Sequence, residues 1–93
     1  MAESNVIPVC YVVGNDDNGY KWGIIYFAQS QKFFECIWSS TRYEKRRECV
    51  AAIVIIGGDM PIGVTNEGLN TILKKFLKKR KVTGKCNMDV INL

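Results

Sequence analysis

Histidine is missing from all 93 residues of the chain. That excludes Ser-His-Asp and Cys-His catalysis, imidazole proton shuttling and His-ligated zinc within it. The four cysteines, Cys10, Cys36, Cys49 and Cys86, form no Cys-x-x-Cys pair, so neither a zinc ribbon nor a thioredoxin-type redox centre is expected. Three of them lie in apolar runs, which reads as reduced core thiols in an intracellular protein, cytoplasmic or nuclear. No run approaches the roughly 18 apolar residues of a spanning helix, so membrane insertion is not expected. The opening Met1-Ala2-Glu3-Ser4-Asn5 carries neither the basic flank nor the apolar stretch of a signal peptide. The glycine-bearing stretch 14–19 lacks both the Lys-Ser/Thr of a phosphate loop and the spacing of a dinucleotide site.

What is present is the composition of a packed globular unit, 47% hydrophobic and 24% charged, in a chain too short for a second core. Residues 1–93 are therefore read as a single domain. Charge is unevenly placed. Thirteen basic and nine acidic residues give +4 overall. Within 66–85, however, seven basic residues (Lys74, Lys75, Lys78, Lys79, Arg80, Lys81 and Lys85) face one acid, Glu67, for +6. The positive charge is a patch.

Residues 6–13 (VIPVCYVV) are dense in β-branched side chains and read as a strand buried on both faces. Gly14-Asn15-Asp16-Asp17-Asn18-Gly19 is turn chemistry. Residues 20–28 and 32–39 read as two more strands, and short links between the three predict an antiparallel meander. Thr41-x-x-Glu44 has the form of a capping box and predicts a helix to about Ile56, with Tyr43, Arg47, Val50 and Val54 on one face and Ile53 beside them. Gly57-Gly58 would stop it. Residues 60–65 (MPIGVT) form a short strand candidate. Leu69, Ile72, Leu73, Phe76 and Leu77 then recur at helical spacing, with Thr65 or Asn66 as cap and lysines on the other sides. Residues 87–93 offer a last strand. The expected class is α+β (α/β): a mixed sheet with helices packed on it, in the order β-β-β-α-β-α-β.

That order resembles the ribonuclease H-like family, and particular stretches add to the likeness. The segment from Trp38 to Ile53 looks like the family's third-strand exit and first helix, where a Glu precedes an alanine-containing apolar run. Tyr20-Lys-Trp-Gly-Ile-Ile-Tyr26 looks like its second strand. Pro61-Ile-Gly-Val-Thr-Asn66 is similar to its fourth strand, which usually carries Thr-Asp-Ser before a helix. The resemblance covers about residues 6–93. It implies carboxylates holding two divalent ions, Mg2+ or Mn2+, about 3.5–4 Å apart, one orienting water and the other neutralising the leaving oxygen. Placed on this chain, Glu48 matches the helix carboxylate, but the fourth-strand aspartate falls on Asn66. The first-strand aspartate falls on Gly14 or Asn15, and the last has no counterpart before Leu93. Asp16 and Asp17 are the candidate replacements. A catalytically degenerate domain without a cofactor is the expectation.

The basic helix supplies the function this reading leaves. No acid lies between Asn70 and Lys85, and six cations over eight positions repel one another unless a polyanion neutralises them. Lys74, Lys75, Lys78, Lys79, Arg80 and Lys81 are thus the candidate contacts for DNA or RNA, held through phosphates without sequence preference. KKFLKKRK also resembles a nuclear-import sequence. A second basic group, Arg42, Lys45, Arg46 and Arg47, opens the first helix. Two rival readings stand beside nucleic-acid binding. One is a protein-interaction or dimerisation module, viral or host-directed, using Phe33, Phe34, Ile37 and Trp38 on an apolar edge strand. The other is an active metal-dependent nuclease built on Glu48 with Asp16 or Asp17.

Overall fold

A computed structural model describes residues 6–82 together with Cys86 and Leu93. The predicted meander is there. Strand β1 (Val6–Asp16) pairs antiparallel with β2 (Gly19–Ala28), and β2 with β3 (Phe33–Trp38). Helix α1 (Arg46–Gly57) follows, then β4 (Ile62–Gly63) and helix α2 (Asn66–Lys79). The short β4 lies parallel to β1, giving the sheet order β3-β2-β1-β4. The class is α+β, with a four-strand mixed sheet and two helices among the described residues. The proposed strand over 87–93 lies outside the described residues.

Alternation along β1 assigns the two layers. Cys10 and Val12 point to one face, where they join Ile25, Phe27, Phe34 and the α2 residues Leu69 and Leu73 in one buried cluster. Tyr11 and Val13 point to the other, where they meet Cys49 and Ile53 of α1. The helices therefore cover opposite faces of the sheet. A bulge at Val9, where the register slips between Pro8 and Cys10, turns both Val9 and Cys10 toward the α2 side.

Three elements depart from the sequence reading, each for a local reason. The 14–19 turn is tighter than expected. Gly14 and Asn15 pair with Lys21 and Tyr20, leaving Asp17 and Asn18 as a two-residue hairpin loop before Gly19 at φ 121°. Helix α1 starts at Arg46 instead of Thr41, because Tyr20 and Tyr43 exchange backbone hydrogen bonds of 2.8 Å that hold Tyr43 extended. The capping pair is accordingly Lys45 and Glu48, whose carboxylate accepts the Lys45 N–H at 3.0 Å. The later start also shifts the buried face. Cys49 and Ile53 are buried while Arg47 is exposed, and Val54, Ile55 and Ile56 are 53%, 85% and 52% exposed. The strand at 60–65 contracts to two residues, with Pro61 just outside it and its carbonyl accepting the Tyr11 N–H at 2.9 Å.

Helix α2 follows its periodicity. Leu69 and Leu73 are buried, and Ile72, Phe76 and Leu77 pack beside them. The Thr65 hydroxyl accepts the Gly68 N–H at 3.0 Å, which makes Thr65 the cap.

Candidate functional site

The six cations predicted on α2 and its exit, Lys74, Lys75, Lys78, Lys79, Arg80 and Lys81, are all exposed. The leucine stripe at 69 and 73 is drawn onto the sheet, and that rotation leaves the lysine positions facing water. Among the described residues no acidic side chain forms an ion pair with any of the six. Arg80 lies over the Phe76 ring at 5.4 Å, and Lys81 leaves the helix in the left-handed region at φ 56°. The basic group that opens α1 belongs to the other layer, so the two groups do not form one helix surface. It is also partly engaged. The Arg42 guanidinium reaches both Asp16 carboxylate oxygens, with Nη2 3.0 Å from Oδ2, and donates to the Ser39 carbonyl at 2.9 Å. Arg46 stands over the Tyr20 ring at 5.6 Å.

The candidate carboxylates do not gather. Asp16 is tied to Arg42, with Lys21 Nζ 3.7 Å away and the Asn18 N–H on Oδ1 at 2.9 Å. The Arg42 hydrogen bonds, aided by the Asn18 N–H, hold its carboxyl below the usual range. Asp17 sits in the exposed hairpin loop. Glu48 turns back onto the Lys45 N–H. Among the described residues no group of three or more cysteine or carboxylate side chains is placed to hold a metal ion.

A polar pocket of about 250 Å³ does form at the end of β1, against the starts of both helices. Its walls include Gly14, Asn15, Tyr20, Arg46, Thr65 and Asn66. The folded chain thus brings together Gly14, Asn15 and Asn66, the positions onto which the resemblance places the first- and fourth-strand aspartates. In place of carboxylates they present two amides, and Arg46 adds a positive charge. No Asp or Glu side chain among the described residues lines the pocket. Asn66 Oδ1 already accepts the Leu93 N–H at 3.0 Å. This donor set does not fit a pair of divalent cations, which need several anionic oxygens. Arg46 was missing from the sequence reading of this site. Nothing in its spacing marks it, because its place depends on where α1 begins.

The edge-strand residues separate by pleat. Phe34 is 1% exposed, with its ring 5.0 Å from that of Phe27 and 6.1 Å from that of Phe76. Trp38 lies over Gly14 and Gly23, where an added Cβ would come within 2.7 and 2.8 Å of its ring. Lys21 Nζ caps the indole at 4.6 Å. Phe34 and Trp38 therefore belong to the packing of the domain, Phe33 is half-buried, and Ile37 is 55% exposed. The edge is less apolar outward than its sequence implied, because alternate residues serve the core.

A second concavity, about 410 Å³, runs between α2 and the β1–β4 side of the sheet. Val9, Pro61, Ile72 and Phe76 line it, and Lys75 and Lys79 complete its walls. The bulge at Val9 helps to form it, a feature without a sequence signal here. All four cysteines are free thiols. Burial, with the nearby Cys36 adding to it, pushes the Cys10 thiol up to about 12, and burial pushes Cys36 up to about 11. No described helix is long and apolar enough to cross a membrane. No family model, curated protein or solved structure matches this chain.

Proposed function

We propose that this chain is a nucleic-acid-binding domain with a ribonuclease H-like arrangement that has lost its catalytic carboxylates. The observation that carries the proposal is α2: six exposed cations at its C-terminal half and exit, with no described acidic side chain paired to them. Such a surface repels itself and is relieved by a row of phosphates. Its lysines are point charges, so they hold a backbone without reading bases. The chain order of three antiparallel strands, helix, strand and helix supports the family reading. The amide-lined pocket at Gly14, Asn15 and Asn66 supports loss of catalysis over an active two-metal nuclease.

Reversing Lys74, Lys75, Lys78 and Lys79 to Glu tests the binding. All four side chains are exposed, so the fold is expected to survive, and retention of labelled polynucleotide should be lost. Unchanged retention by the folded variant rejects the proposal.

A second reading, a self-associating or protein-capturing module, is favoured by exposed Ile37 at the sheet edge and exposed Val54, Ile55 and Ile56 on α1. Ile37→Lys should dissociate an edge-paired dimer in sedimentation while leaving polynucleotide binding intact. A chain that is monomeric before the change removes the dimer form of that reading.

A further inference from the structure

From the groove beside α2, and resting on the nucleic-acid reading above, we infer that the bound polymer is single-stranded and seats an unpaired base between α2 and the bulged part of β1. The groove joins two chemistries that a phosphate surface alone does not need. Its floor is apolar, built from Val9, Pro61, Ile72 and Phe76, and its walls carry Lys75 and Lys79, with no acidic side chain among the described residues. Four residues apart, the two lysines stand on one side of α2, about 5–6 Å from each other at Cβ. An occupant that satisfies both is flat, apolar on its faces and linked to negative charge on its flanks.

An unpaired base with its neighbouring phosphates has that form. A duplex does not, because its base faces are stacked inside and its outer surface is phosphate and sugar. At about 410 Å³ the groove has the volume of an ordinary small-ligand site, ample for one base. Apolar and aromatic contact accepts any base, since every base has a π-face, so the site adds affinity without sequence preference. Arg80, lying over the Phe76 ring at 5.4 Å, places a further cation at the helix end.

The experiment compares ligands of equal total charge on the unmodified protein by fluorescence anisotropy: a single strand with bases, the same backbone made abasic, and a duplex of half that length. The base-bearing strand should bind about tenfold more tightly than the abasic one, the low end of what base contact with an apolar surface contributes. Pro61→Gln, a change at an exposed groove residue that makes the apolar floor polar without adding a ring or altering charge, should shrink that difference and leave abasic affinity unchanged. Equal binding of base-bearing and abasic strands overturns the groove assignment while leaving the phosphate reading intact. Tighter binding of duplex overturns it likewise. Failure of every polynucleotide to bind, with or without binding to anionic phospholipid vesicles, rejects both.

Discussion

Asn15 and Asn66, far apart in the chain, line the same polar pocket at the end of β1 and the start of α2. Parallel pairing of β4 with β1 brings them together, since Ile62 and Gly63 sit beside Tyr11 and Val12, at the same distance along the chain before each asparagine. Asn66 stands where the family resemblance places one aspartate, and Gly14 or Asn15 where it places another. The pocket therefore lacks the carboxylates that the resemblance would place there.

Placing carboxylates in this pocket should create cation affinity. The triple variant Asn15→Asp, Asn66→Asp, Arg46→Gln exchanges two amides for carboxylates and removes the opposing guanidinium. Its melting temperature should rise with added Mn2+, which at a hundredfold excess over Kd corresponds to about 2.7 kcal/mol. The unmodified protein is expected to show no comparable rise. A triple variant indifferent to Mn2+ and Mg2+ would mean that this pocket does not occupy the family's metal position.

Salt dependence reports how many phosphates α2 engages. With four to six contacts, log K should fall against log salt with a slope of about −3 to −4 for a single strand and about −4 to −5 for a duplex. Each single change of Lys74, Lys75, Lys78 or Lys79 to Ala should reduce that slope by about 1, equally for different base sequences. A slope near zero, or a slope unmoved by these changes, would place the binding elsewhere.

Adjacent aliphatic residues on α1 should behave oppositely. Ile53 is 1% exposed, clustered with Tyr11 and Val13 of the sheet, and Ile53→Ala should cost about 2–5 kcal/mol in urea denaturation. Ile55 is 85% exposed, and Ile55→Ser should change stability by no more than about 0.5 kcal/mol. Equal costs would contradict the helix phase set by the Arg46 start.

Alkaline pH should weaken the fold through Cys10. Its thiol ordinarily ionises near 9.0, but burial, with Cys36 nearby, raises it to about 12 in the folded chain. Between those values the unfolded chain loses a proton that the folded chain keeps. Stability contributed by the neutral thiol is therefore complete below pH 9 and declines as pH rises toward 12, by about 1.4 kcal/mol per unit for one proton. Cys10→Ala removes this component, so the two proteins' stabilities should converge as pH rises over that interval. Parallel curves would show that the Cys10 proton is not linked to folding.

Much of the molecule was legible from residue order. Helix α2 was readable because Leu69, Ile72, Leu73, Phe76 and Leu77 repeat at its period, and a pattern of that kind determines both the helix and the direction its lysines face. The three-strand meander was readable from β-branched runs and short polar links. The start of α1 was not, because Thr41 and Glu44 make a capping pattern that competes with the backbone pairing of Tyr43 to Tyr20. That pairing joins residues from separate segments and leaves no local trace.

The sequence by itself determined the absence of imidazole chemistry, the element types and the concentration of positive charge on one helix, since all three follow from composition and short-range periodicity. Tertiary structure alone decided that the helices take opposite faces, that Asp16 is bound to Arg42, and that Glu48 stays with its own helix start. It also decided that two asparagines and an arginine share one pocket, while Val9 and Pro61 join α2 in another. These outcomes depend on strand pairing, a bulge and packing between distant residues, whose energies come from contacts that no local window of the chain contains.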